Sequence, residues 1–311
     1  MQEFVQQLIN GLSLGAIYAL IAVGYTMVYG VLQLINFAHG DVFMVGAVLV
    51  LLIARGVGWV GDDHVTHSWA AFGVCAALSV AGCGLLGFVI ERFAYRPLRN
   101  RPRLNSLITA IGVSLLLEYG GQHPKVFGPT PRPFPIDMLP GVGGRLFSIG
   151  GVVITRIDGM ILAITLVLML GLSYVVMRTR TGLGLRAVSH RFDVAALMGV
   201  NIDRIISFTF VLGSTLAGVA GILFAIKYPK VDPLMGLLPG IKAFVAAVFG
   251  GIGNITGAVL GGLILGLVEV LAVGYLPNGS QYRDGIAFVI LIAILLVKPS
   301  GLLGKNVTEK V

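Results

Sequence analysis

Chemistry has few places to reside in this chain of 311 residues. The run Asn36-Phe37-Ala38-His39-Gly40-Asp41 interrupts an otherwise apolar stretch from Leu32 to Ala54. Polar groups at membrane depth are costly, so they normally face a cavity or a partner helix. Gly40 lets a helix break, and a broken helix frees backbone groups that can line a pathway. Asn36, Phe37, His39, Gly40 and Asp41 are therefore candidates for a solute path or its gate. The other reading is that this segment simply turns the chain at a membrane face. Glu269 is the second acid recognised within an apolar run. It could line the same path, bond a neighbouring helix, or sit near the outer interface.

A further constellation runs from Arg178 to Arg204, RTRTGLGLRAVSHRFDVAALMGVNIDR. Gly182 and Gly184 are expected to break the preceding helix. Arg186 to Met198 then has helix-forming composition, with apolar Val188, Phe192, Ala195, Ala196 and Met198. Gly199 stands where the residue after a helix C-cap is expected. This describes one short amphipathic helix outside the bilayer. Such a helix suits docking into a groove on a soluble partner, or it lies on lipid headgroups.

Other chemistries lack their motifs. Gly304-Lys305 is followed by Asn306, and no G-x-x-x-x-G-K-S/T occurs. The chain is therefore not expected to bind or hydrolyse ATP through a Walker-type loop. H-E-x-x-H, G-x-S-x-G and Cys/His clusters at metal spacing are missing too. No catalytic residue, metal or cofactor is assigned to this chain, and an intramembrane enzyme is not expected.

The elements that must position these residues are membrane helices. The chain is 56% hydrophobic and 12% charged, about half the charge usual in a soluble domain. Apolar runs cover Phe4–Val31, Leu32–Ala54, Trp69–Val89, Leu104–Tyr119, Met160–Val176, Ile205–Ile226, Ile241–Phe249, Ala258–Tyr275 and Ile286–Val297. The fold expected is all-α and polytopic, a single membrane domain over residues 1–311 with one helix broken. The seventh and ninth runs offer no more than about 18 Å of apolar helix against a core of about 30 Å. Nine crossings are preferred, and eight is the alternative.

Basic residues set the orientation. Arg92, Arg96, Arg99, Arg101 and Arg103 form one group, Arg178, Arg180, Arg186, Arg191 and Arg204 a second, and Lys298, Lys305 and Lys310 a third. With nine crossings all three fall on one side, which the excess of Lys and Arg marks as cytoplasmic. The N-terminus is then periplasmic and the C-terminus cytoplasmic. The Pro-rich loop 120–158 and the Asp62-Asp63-His64 loop face outward, and segment 178–204 faces inward. The net charge of +8 reflects these loops, so nucleic acid is not expected as a partner. Cys75 and Cys83 lie about 12 Å apart along a helix, too far for a disulfide, and are expected to be packing residues. No cleavable signal peptide is expected. Gly253, Gly257 and Gly261, with Gly262 and Gly266 beside them, are expected to form a close-packing face.

Several stretches carry a family resemblance. Asp193, Ala195, Ala196 and Gly199 loosely match the cytoplasmic coupling loop of ATP-binding-cassette importer permeases, with the acid an Asp and the spacing shifted. GYTMVYGVLQLINFAHGDVFMVGA from Gly24, ERFAYRPLR from Glu91, KAFVAAVFGGIGNITGAVLGGLILGLVE from Lys242 and LLVKPSGLLG from Leu295 resemble signatures of the branched-chain amino-acid permeases, most closely the LivH type. The resemblance implies an ABC importer permease fold in the cell inner membrane, passing Leu, Ile or Val. It implies a second homologous permease subunit, two cytoplasmic ATPase subunits holding ATP and Mg, and a periplasmic substrate-binding protein. It also makes Arg186, His190, Asp193, Ala195, Ala196 and Gly199 candidates for coupling to the ATPase. Permeases for urea, amides or ribose share the superfamily, and an ion-coupled secondary transporter is the rival class.

Overall fold

The computed structural model describes residues 2–61, 63–99, 101–298 and 300–304. Asp62 of the outer loop and Lys305 and Lys310 of the tail lie outside the described residues. Eleven α-helices form the body among the described residues: α1 Gln2–Leu32, α2 His39–Gly56, α3 Trp69–Val89, α4 Arg103–Gln122, α5 Arg156–Arg178, α6 Arg180–His190, α7 Phe192–Leu197, α8 Ile202–Lys227, α9 Leu237–Gly250, α10 Ile255–Tyr275 and α11 Gly279–Val297. A π-helical stretch, Ile90–Tyr95, and a 3₁₀ turn, Arg96–Leu98, continue α3. Four short strands, β1 Arg132–Pro133, β2 Arg145–Ile149, β3 Val152–Thr155 and β4 Lys230–Val231, decorate one end.

Polar caps set the helix starts. The side chains of Ser68, Thr155, Thr179, Asn201 and Asn254 accept backbone N–H bonds at the heads of α3, α5, α6, α8 and α10. Each satisfies a donor that the first turn cannot. Among the described residues, seven helices are long and apolar enough to cross a membrane: α1, α2, α3 with its continuation, α4, α5, α8 and α10. α9 is shorter at 14 residues. α11 has 19 residues and reaches back through Gly285 to Gly279, beyond the apolar run that marked it.

The long helix α1 occupies the centre, packed against α10, α8, α9 and α5, while α2, α3 and α8 form a second packed group. Glycine permits the closest approaches. A Cβ at Gly266 would lie 2.3 Å from the Gly15 Cα, and one at Gly262 2.5 Å from the Ala19 Cα. On its other side α10 meets α9, where a Cβ at Gly261 would lie 2.1 Å from the Ala246 carbonyl oxygen. The small residues of α10 thus serve two neighbours rather than one face. Gly253 is not part of the series; it precedes the helix at φ 91°. Cys75 and Cys83 are buried and unpaired with each other, as expected.

The two ends of the bundle are distinct. At one, β1 pairs with β4, so the Pro-rich loop meets the segment after α8. At the other, Arg96 pairs with Asp203 at the start of α8, so two of the basic groups share an end.

The segment after α5 departs from the sequence reading. Gly182 and Gly184 do not break the helix; both are buried inside α6, and the break falls at Thr179, whose hydroxyl caps α6. The expected single helix over Arg186–Met198 is two, divided at Arg191, where the backbone is extended at φ −149°. Gly199 does occupy the left-handed conformation expected after the C-cap, at φ 81°.

Candidate functional site

The chain reverses direction just beyond α1, where Gln33 takes φ 53°. It then climbs back into the bundle. His39, the first residue of α2, packs edge-on against Tyr25 with ring centroids 4.6 Å apart. Gly24 is required beside it, because a Cβ there would lie 2.3 Å from the His39 Nε2. Gly24 stands eight residues from the end of α1, about 12 Å along the axis. The head of α2 therefore lies within the protein and not at its face. Asn36, His39 and Asp41 are all buried. Tyr95 of the π-helical stretch donates to the Asn36 Oδ1 at 3.0 Å.

The head of α2 meets the head of α9 backbone to backbone. A Cβ on Gly40 would sit 2.8 Å from the Gly236 oxygen, and one on Gly240 2.8 Å from the Gly40 Cα. Beside this crossing is a cavity of about 140 Å³. Tyr25, Phe37, Phe244 and Ile241 supply aromatic and aliphatic walls, and Asp41, Ser114 and Glu118 a polar edge. The Ser114 hydroxyl donates to the Asp41 Oδ2 at 2.5 Å. Five of the sequence candidates thus lie at one place: Phe37, Gly40 and Asp41 line the cavity, and Asn36 and His39 pack behind it.

Glu118 was missed by the sequence reading, which recognised only Asp41 and Glu269 as intramembrane acids. The signal was present, since Glu118 falls within the apolar run Leu104–Tyr119. Glu91, Asp158 and Lys242 are likewise buried and were not singled out.

Glu269 lies elsewhere and does not line the cavity. Its carboxylate accepts from the Tyr18 hydroxyl at 3.0 Å, from Lys242 Nζ at 3.0 Å and from Arg283. Lys242 also pairs with Asp284 at 2.6 Å. Two acids and two bases therefore tie α9, α10 and α11 together, and the Tyr18 hydroxyl joins α1 to them.

At the basic end, Glu91 is fully buried and pairs with Arg99. The Ser207 hydroxyl donates to its other oxygen at 2.6 Å. Arg96 and Arg99 both hold Asp203, which fixes the start of α8 and the exit of the α6–α7 segment. Within that segment Ala195 is buried, whereas Arg186, His190, Asp193, Ala196 and Gly199 are exposed. Its tip is apolar: Leu197 is 86% exposed and Met198 79%. These residues stand apart from the cavity, so the structure brings together two groups of candidates and not one.

The family model described as "Branched-chain amino acid transport system / permease component" matches residues 7–295. The high-affinity branched-chain amino acid transport system permease protein BraD of Pseudomonas aeruginosa is 44% identical, over 99% of this chain and 98% of its own. The permease protein LivH of Escherichia coli K12, of the same description, is 42% identical over the same shares. The probable branched-chain amino acid transport permease protein LivH of Methanocaldococcus jannaschii is 27% identical, over 92% of this chain and 88% of its own. A polytopic helical bundle matched along almost its whole length in this way belongs to the family of branched-chain amino acid transport permease components.

Proposed function

We propose that this chain is the membrane-spanning subunit of an ATP-driven importer that moves leucine, isoleucine and valine across the inner membrane. The match along the whole chain to permeases of this description carries the reading. It works with a second homologous permease, two cytoplasmic ATPase subunits and a periplasmic binding protein, and it hydrolyses nothing itself. The basic end faces the cytoplasm, where Lys and Arg are retained, which leaves the N-terminus periplasmic.

Alternating access then needs two features of this chain. One is a route past the crossing of α2 and α9, with Asn36, Phe37, His39, Gly40 and Asp41 at its gate. The other is a handle for the ATPases. Phe192, Val194, Leu197 and Met198 are exposed on the α6–α7 segment, and an amphipathic helix presenting such anchors fits a groove on a soluble partner. Arg186, His190, Asp193 and Ala196 flank them, Ala195 seats the segment on the bundle, and Gly199 returns the chain to α8. Glu269, paired on every side, holds helices together and is not assigned to the route.

The test is reconstitution of the whole complex with labelled leucine. Uptake is expected to require ATP and binding protein. Leu197→Asp with Met198→Asp is expected to reduce ATPase co-purification roughly tenfold or more, about 1.4 kcal/mol or above, without lowering the amount of folded permease. Uptake driven by an ion gradient with no ATPase present would sink the proposal.

A further inference from the structure

Five acids are buried among the described residues: Asp41, Glu91, Glu118, Asp158 and Glu269. Three of them have a basic partner within the chain. Glu91 has Arg99, Asp158 has Lys227 at 2.7 Å, and Glu269 has Lys242 and Arg283. Asp41 and Glu118 have no basic partner among the described residues, and these two border the same cavity. Glu118 is only 6% exposed, and its carboxyl group lies within hydrogen-bonding reach of that of Asp41. Two carboxyl groups so placed cannot both stay ionised on their own: they share a proton or take up a cation from outside the chain.

The rest of the cavity narrows what that cation is. Phe37, Ile241 and Phe244 give the same cavity an apolar lining beside the acids. A bare metal ion has no use for such a lining, and a basic side chain reaching in from another subunit would leave it uncovered. A volume of about 140 Å³ is close to that of an apolar cavity, about 150 Å³, that takes up benzene. A branched four-carbon side chain is of that order.

We propose that Asp41 and Glu118 receive the ammonium group of an aliphatic amino acid in this cavity, with Phe37, Ile241 and Phe244 holding its side chain. The proposal rests on the import reading and assigns it a site. Ser114 keeps the Asp41 carboxylate turned toward the cavity. Binding brings the missing positive charge, so the site is held together best when it is occupied.

The experiment uses proteoliposomes carrying the whole complex, with ATP on the ATPase side and leucine-loaded binding protein on the other. Wild-type uptake is measured first, and its absence would sink the import reading before the site is examined. With wild-type uptake in hand, Asp41→Asn combined with Glu118→Gln is expected to cut leucine uptake roughly tenfold or more, with binding-protein-stimulated ATP hydrolysis retained. Uptake equal to wild type overturns the site. Should the double variant not assemble, Ser114→Cys in an otherwise unchanged chain reads the site directly, with labelling of Cys75 and Cys83 subtracted. Its labelling by a cationic methanethiosulfonate is expected to slow with leucine and not with 4-methylpentanoate, which has the same shape without the ammonium. Equal labelling with both compounds, or a thiol shielded when neither is present, as a partner's basic residue would shield it, overturns the proposal.

Discussion

Replacing Glu269 by leucine is expected to destabilise the subunit by about 3–5 kcal/mol and to deplete it from the membrane. Glu269 is 1% exposed and answers two cations. Without it, Lys242, itself 4% exposed, keeps only the half-exposed Asp284. Arg283 loses its carboxylate partner, and the Tyr18 hydroxyl loses its acceptor. The penalty is that of a buried positive charge, and not only the sum of lost bonds. Glu269→Gln keeps acceptor atoms and is expected to fall between wild type and Glu269→Leu. Adding Lys242→Met to Glu269→Leu removes one stranded cation and is expected to recover part of the loss. Thermal unfolding of the detergent-purified complex, with membrane abundance beside it, measures all three. A wild-type midpoint for Glu269→Leu would show that the cluster is no clamp.

Gly266→Leu is expected to exceed the roughly 1–3 kcal/mol usual for overpacking and to abolish assembly. The atoms in the way are the Gly15 Cα and N, each 2.3 Å from the new Cβ. Neither can rotate aside, as the end of a side chain would, so α1 and α10 must separate. Membrane helices associate through close packing without a hydrophobic drive, and separation forfeits contacts along the seam. Gly171→Leu on α5 is the matched control, since a Cβ there meets nothing within 4 Å. The control is expected to accumulate normally. Equal abundance of the two variants would refute the packing argument.

Most helix positions were legible because hydropathy reports burial in lipid directly. The run Trp69–Val89 coincides with α3, and Ile205–Ile226 with all but the ends of α8. Local chemistry misled in the segment after α5. Gly182 and Gly184 suggested a break by composition, but the Thr179 hydroxyl starts a helix that uses both glycines for close packing, a Cβ at Gly182 falling 2.2 Å from the Val175 oxygen. The site was half legible. Asp41 stood out because it closes a run with Asn36 and His39 that interrupts an apolar stretch. Glu118 did not, because its partner in the cavity is 77 positions away and its own neighbours are ordinary for a membrane helix. Bonding to a neighbouring helix was among the roles open to Glu269, but Lys242 was not legible as its partner, because the pairing spans 27 residues.

α1 is buried from Gly11 to Val28 with the exception of Leu12, although it is synthesised ahead of every helix that encloses it. It carries Ser13, Tyr18, Tyr25 and Thr26 in its interior, groups suited to protein neighbours more than to acyl chains. During biogenesis it must dwell among lipids until α8, α9 and α10 arrive to enclose it. The centre is thus made before its walls, and the last part of the chain completes them. A ribosome stalled before Ile255 would leave the groove at Gly11 and Gly15 without the α10 backbone that fills it.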